Sequence, residues 1–234
     1  MGVMTEHNMA AAAPPSPRPK GHMWRVSGLI WALVNLAGAA VGLFPAALTP
    51  AAQPAGAALP ALGVLAVGQV AFLLGAYPLI LARRHSCGQR ISLGGLAAEA
   101  ALWLVVGAPF VAACGYFSDA AVLDAVRVEL VTAAVFPAAW ALAALAQRGL
   151  SAATLAAALV VLGAPAALYL GQEFWPGGAP AWLWHVSPVL LAWTAGQARQ
   201  PSIFPLPLWA WLWPAAAGVV VLVLCRFAAR GRRT

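Results

Sequence analysis

Three observations predict an all-α, polytopic membrane fold. Apolar residues make up 63% of the chain and charged residues only 8%. The apolar residues gather into six runs of about 20 residues each, and the basic residues sit in short clusters between those runs. Soluble domains hold roughly 45–50% apolar and about 25% charged residues, so a core surrounded by water cannot absorb this excess. Lipid must be the solvent. A helix rising 1.5 Å per residue crosses roughly 30 Å of hydrocarbon in about 20 residues and bonds every backbone group internally.

The formal net charge of +7 and the pI near 10.4 would suggest a nucleic-acid partner if the basic residues formed one patch. They are scattered between apolar runs, so no nucleic acid is expected and the bilayer is the partner. Cys87, Cys114 and Cys225 have neither CxxC nor Cys/His metal spacing, which leaves them as packing residues. No cofactor or metal is expected.

Residues 1–23 are polar and contain AAAAPPSPRPK, which cannot continue a helix past Pro14; they read as a disordered cytoplasmic tail. The transmembrane domain is expected over 24–226, followed by a basic cytoplasmic tail at 227–234. The first span, 27–48, carries Asn35 and a small-xxx-small pair, Gly38 and Gly42, suited to close helix contact. Ala46-Ala47-Leu48 imitates a signal-peptidase site, but the preceding run is longer than a secretory h-region.

A Pro/Ala/Gln loop at 49–56 leads to the second span, 57–82, with Gln69 and a kink-prone Pro78; it stops at the basic loop 83–90, RRHSCGQR. The third span, 92–116, opens on a capping Ser92 and carries Glu99 about two turns in. A loop around 117–119 precedes the fourth, whose opening turns hold Asp124, Arg127 and Glu129 before it passes Pro137 and Trp140 to 147–149. The fifth covers 151–170, with Pro165, and the sixth 207–225.

Between the last two lies 172–205, where Trp175, Trp182, Trp184 and Trp193 alternate with Pro176, Pro180, Pro188, Pro201 and Pro205. That stretch is too broken to span and too apolar to be a free loop. It is expected to be a re-entrant or interfacial lid containing His185, with Ser187-Pro188 at a helix start. Most tryptophans, including Trp209, Trp211 and Trp213, are expected in the interfacial aromatic belt.

Six spans put both termini on one side. With that side cytoplasmic, Arg18, Lys20, Arg25, Arg83, Arg84, Arg90, Arg148, Arg226, Arg230, Arg232 and Arg233 face inward and only Arg127 and Arg199 face outward. This bias follows the positive-inside rule and points to a bacterial cytoplasmic membrane. No GxxxxGK[ST] loop is present, so the chain does not hydrolyse ATP by that mechanism.

Glu99 has two readings: a proton or substrate contact, or an ion-pair partner of Arg90 or of the Arg83/Arg84 cluster. The second is favoured. Asp124 and Arg127, three apart, share a helix face and read as a structural pair rather than a substrate gate. Asn35 and Gln69 read as interhelix hydrogen-bond partners. Prolines 78, 109, 137 and 165 are either transport hinges or ordinary membrane-helix kinks.

The run WPGGAPAWLWHVSP at 175–188 resembles the tryptophan-rich periplasmic motif of cytochrome c maturation proteins. That family needs external axial histidines, whereas His7, His22 and His85 are expected inside, so heme is not expected. Intramembrane proteases of the rhomboid and paired-Asp types lack their catalytic groups here: no histidine is buried in a span and neither Asp119 nor Asp124 lies at a membrane centre. The chain is not expected to be an enzyme.

Six spans, a basic loop after the second and an external segment before the last resemble the permease subunit of ABC exporters of the six-helix, type-2 class. The resemblance implies a separate ATP-binding subunit contacted by the loop after the second helix. It also implies homo- or heterodimers of permeases around a path, and re-entrant helices at the outer mouth that start with Ser-Pro or Asn-Pro. Arg83, Arg84, Arg90 and Glu99 then fall on or beside the ATPase-contacting segment. Trp175, Trp182, Trp184, His185, Ser187, Pro188 and Trp193 fall on the outer lid. The loop RRHSCGQRISLGG departs from the family in lacking acidic residues before the third helix. The opposing expectation is a noncatalytic membrane scaffold or anchor of a larger complex.

Overall fold

The computed structural model describes residues 22–48, 61–89, 92–147, 187–196 and 208–230, together with single positions 155, 159, 163 and 165. Every element among the described residues is a helix: α1 (His22–Leu48), α2 (Ala61–Leu74), α3 (Ala76–Ser86), α4 (Leu93–Phe117), α5 (Val122–Ala146), α6 (Pro188–Ala195) and α7 (Leu208–Arg230). Four stretches, Trp24–Phe44, Ala61–Ser86, Leu93–Phe117 and Val122–Ala146, are long and apolar enough to cross a membrane; α7 contributes a shorter apolar stretch, Leu212–Leu224. The protein is therefore a helical membrane protein. The expected fifth span at 151–170 lies outside the described residues apart from the single positions.

The second span is two helices. Its chain breaks at Gly75, where the backbone turns to φ −95° and ψ −77° and α3 begins. Pro78 is the cause: lacking an N–H, it cannot bond the carbonyl one turn earlier, at Leu74, and its ring crowds that turn. The span also ends later than the expected 82. Arg83, Arg84, His85 and Ser86 form the last turn of α3 rather than a loop. Basic side chains suit a helix C-terminus, whose carbonyls carry partial negative charge. The stop comes at Gly88, with φ 78°, where Gly88 N–H donates to His85 O and Gln89 N–H to Arg84 O. That pair of bonds is a Schellman cap, which requires the left-handed backbone that glycine adopts without strain.

α4 starts as expected, with Ser92 Oγ accepting from Gly95 N–H at 3.0 Å. Its end repeats the Schellman bonding, Asp119 N–H to Tyr116 O and Ala120 N–H to Gly115 O, with Asp119 at φ 51°. Aspartate is among the few side chains that tolerate this conformation.

The bundle is centred on α5, which packs against α2, α3, α4, α6 and α7. Small residues set the closest approaches. A Cβ on Gly42 would lie 2.6 Å from Ala61 Cα, so α1 and α2 touch backbone to backbone where the small-xxx-small pair places them. A Cβ on Gly218 would overlap the backbone of Pro137 and Ala138, which seats α7 on α5. Large apolar side chains point outward along α1, where Leu29, Leu33, Leu36, Val41 and Phe44 are all more than half exposed. That pattern is natural for a lipid solvent and unfavourable in water.

Candidate functional site

At the end of the bundle where α1 begins, α3 ends and α4 begins, a buried ion pair ties the three helices together. Arg84 Nη1 meets Glu99 Oε2 at 2.8 Å and Oε1 at 2.9 Å. Both side chains are almost wholly enclosed, so neither charge is screened by water. Arg84 Nε donates to Gln89 Oε1 at 3.3 Å, fastening the hairpin back onto the helix.

Ser27 on α1 lies 3.4 Å from Glu99 Oε1 and 2.8 Å from Trp24 O. One hydroxyl carries one proton, and the shorter contact takes it, so Arg84 is the principal partner of Glu99. Of the two readings open for Glu99, the structure places it in the ion pair. Arg84 is buried within α3, whereas Arg83 and His85 are exposed beside it. Arg90 lies outside the described residues.

A second polar assembly crosses the middle of the bundle. Trp31 Nε1 donates to Trp103 O at 2.8 Å, and Asn35 Nδ2 to Trp31 O at 2.9 Å. Gln69 Nε2 donates to Asn35 Oδ1 at 2.7 Å, and Thr132 Oγ1 to Gln69 Oε1 at 2.9 Å. One chain of bonds thus joins α4, α1, α2 and α5. Gly107 makes the room: a Cβ there would sit 3.3 Å from Gln69 Nε2 and 3.5 Å from Asn35 Oδ1. The Asn35 and Gln69 expectation is met, and Thr132 joins it without having been singled out.

Beside this chain sits an aromatic cluster. Trp31 and Trp103 stack with ring centres 5.4 Å apart, and Tyr77 lies 4.6 Å from Trp103 and 6.2 Å from Phe136. Trp31 and Trp103 are 1% exposed, which places them in the core and not in the interfacial belt expected of most tryptophans. Their packing explains this: each ring fills the space between helices, and the Trp31 N–H finds a backbone acceptor, so Trp31 needs no water at its polar edge.

At the opposite end, Arg127 Nη1 pairs with Asp124 Oδ1 at 2.9 Å, and Asp124 Oδ2 accepts from Ala121 N–H at 3.2 Å. Glu129 is separate from that pair, and its Oε1 is buried without a hydrogen-bond partner. Two positions along a helix is about 200° of rotation, which turns it away from Arg127.

Of the expected outer lid, Pro188 and Trp193 fall within α6 and Ser187 immediately precedes it, whereas Trp175, Trp182, Trp184 and His185 lie outside the described residues. Ser187 caps the helix, its Oγ accepting from Leu190 N–H at 3.4 Å, and Pro188 occupies the first turn, where a missing N–H does no harm. α6 is buried along Pro188–Ala192 against α2 and α5, and Trp193 is half-buried. At its end, a Cβ on Gly196 would overlap the backbone of Leu62 and Gly63, at the start of α2. That contact puts the C-terminal end of α6 at the opposite end of the second span from Arg84.

No group of three metal-ligating side chains occurs among the described residues. Comparison with protein-family models, with curated proteins and with solved structures finds no match.

Proposed function

We propose that the chain is a noncatalytic permease subunit of a membrane transporter of the six-helix ABC exporter type, driven by a separate ATP-binding subunit. The observation that supports this reading best is α6. Eight residues rise only about 12 Å, too little to cross a bilayer. Yet the helix begins on a buried Ser-Pro step and is packed into the bundle, as a partial helix at an outer mouth would be. The basic α3–α4 hairpin lies at the far end of the second span, with exposed Arg83 and His85 available to a cytoplasmic partner. In this reading both termini are cytoplasmic, the membrane is the bacterial cytoplasmic membrane, and two permeases pair around a path.

Co-expression with an ATP-binding subunit encoded beside it tests the proposal. A complex should be captured and its ATPase rate should rise on reconstitution with the permease. Arg83→Glu combined with Arg90→Glu should abolish capture, and undiminished capture would sink the hairpin as the contact. Arg84 is a poor probe, because its loss would disturb the fold before it reported on a partner.

The alternative, a noncatalytic scaffold, draws support from the Trp31–Asn35–Gln69–Thr132 chain, whose polar groups bond to one another across four helices. Co-purification with a respiratory or secretory complex and no ATP-binding subunit would favour it.

A further inference from the structure

α3 is held at its two ends in different ways. Its start is a hinge: the second span is interrupted at Gly75, and Pro78 removes the bond back to Leu74. Its end is a latch: among the described residues, the Arg84–Glu99 pair is the one side-chain hydrogen bond or ion pair that joins α3 to another helix. Hinge and latch are nine residues apart, about 14 Å of helix. The hairpin travels with the latch, because the bonds from Gly88 N–H and Gln89 N–H and the contact of Arg84 Nε with Gln89 all fasten it to α3.

The seam between hinge and latch contains a hydrogen bond that is not made. The Tyr77 hydroxyl faces the indole N–H of Trp140 on α5, near enough to interact but outside hydrogen-bonding geometry. Both atoms are enclosed and without a partner, and the Tyr77 side chain is fully buried. Phe136, one turn before Trp140, meets the Tyr77 ring edge-on at 6.2 Å, so both residues stand on the face of α5 that looks toward α3. Enclosed polar groups are bonded almost without exception, and a single bond from Trp140 Nε1 to Tyr77 Oη would satisfy both atoms. As α3 stands, the latch is closed and that bond is open.

We propose that α3 is a two-position lever. In the first position Arg84 holds Glu99, as here; in the second the latch is released, α3 reseats about Gly75, and Tyr77 Oη accepts from Trp140 Nε1. Packed seams settle into discrete arrangements rather than deforming continuously. Release carries the exposed Arg83, His85 and Cys87 with the helix end, so the surface that this end presents differs between the two positions. The lever does not depend on the transporter reading; within that reading, a partner seated on the hairpin would work it.

The test uses the full chain alone in nanodiscs, without any ATP-binding subunit, so failure here leaves the transporter reading standing. In a background with Cys87→Ala, Cys114→Ala and Cys225→Ala, spin labels are placed through His85→Cys on α3 and Gln147→Cys at the end of α5, both exposed positions. Pulsed electron–electron resonance then reads the distance between them. With the latch intact one distance should dominate, and Tyr77→Phe should leave it unchanged. Arg84→Met with Glu99→Leu should add a second distance. Tyr77→Phe in that variant should shrink the second population roughly two- to tenfold, the usual contribution of one hydrogen bond. A single unchanged distance in the released variant, the result for a seam that water simply bridges, would overturn the proposal. So would a second population that Tyr77→Phe leaves undiminished. Should the double variant fail to fold, Glu99→Gln keeps the shape of the side chain, removes the charge that grips Arg84, and gives the same readout.

Discussion

Arg84 and Glu99 show how a membrane interior treats charge. The sequence places Glu99 in a span and a cluster of arginines near it. An isolated carboxylate in low dielectric is prohibitively unfavourable, so the residue order by itself makes pairing legible. Which arginine pairs was not legible, because Arg84 becomes reachable only when α3 continues past Ala82. Arg84→Ala should destabilise the protein by about 3–5 kcal/mol, since it strands a buried carboxylate. Arg84→Met with Glu99→Leu should recover most of that loss, measured as resistance to denaturant in detergent. Equal losses in the single and double variants would show that the pair contributes mainly through packing. Asn35 and Gln69 were readable as polar intruders in apolar runs. Thr132 was not, because threonine can bond its own preceding turn and so passes unremarked in a membrane helix. Trp31 and Trp103 misled for a related reason: an indole suits both the interface and a core that offers a backbone acceptor.

Among the elements, glycine and proline carry most of what sequence can reveal, and most of what it hides. The Gly38/Gly42 contact with α2 follows from residue size and spacing. The break at Gly75 follows from Pro78, but one turn before it, where the missing bond is felt. The continuation of α3 through its basic residues depends on the cap at Gly88, a backbone property that hydropathy does not report. Glycine position also predicts opposite signs for one substitution on one helix. Nothing lies within 4 Å of a Cβ added at Gly28, whereas one at Gly42 meets the backbone of Ala61. Gly28→Ala should therefore raise stability by up to about 1 kcal/mol through helix propensity. Gly42→Ala should lower it by about 1–3 kcal/mol, because α1 and α2 must move apart. Thermal unfolding of the two variants side by side checks both, and a loss at Gly28 with none at Gly42 would contradict the packing.

For the whole molecule, the all-helical, membrane-spanning class was legible because composition alone excludes water as the solvent. The arrangement around α5 was not, since periodicity is faint when a helix is apolar on every side. The proposed orientation rests on charge and has a native reporter: Cys87 is exposed at the α3–α4 hairpin, and Cys114 is buried. In a Cys114→Ala/Cys225→Ala background, a membrane-impermeant maleimide should label Cys87 only after permeabilisation. With Cys87 also replaced by Ala, a cysteine introduced for Gly178 should react in intact cells. The reverse pattern would invert the protein and remove the hairpin from the cytoplasm.

The seat of α7 on α5 has a mechanical consequence. At Gly218 the two helices meet through main chain, against Pro137 and Ala138, with no side chain between them. Side chains normally act as springs, since rotamers can absorb a small shift of one helix before its neighbour feels it. At this contact there is no spring, so a displacement of α5 at Pro137 is felt directly by α7. The contact of α1 with α2 is of the same kind, since Gly42 meets the main chain of Ala61, so α1 follows α2 in the same way.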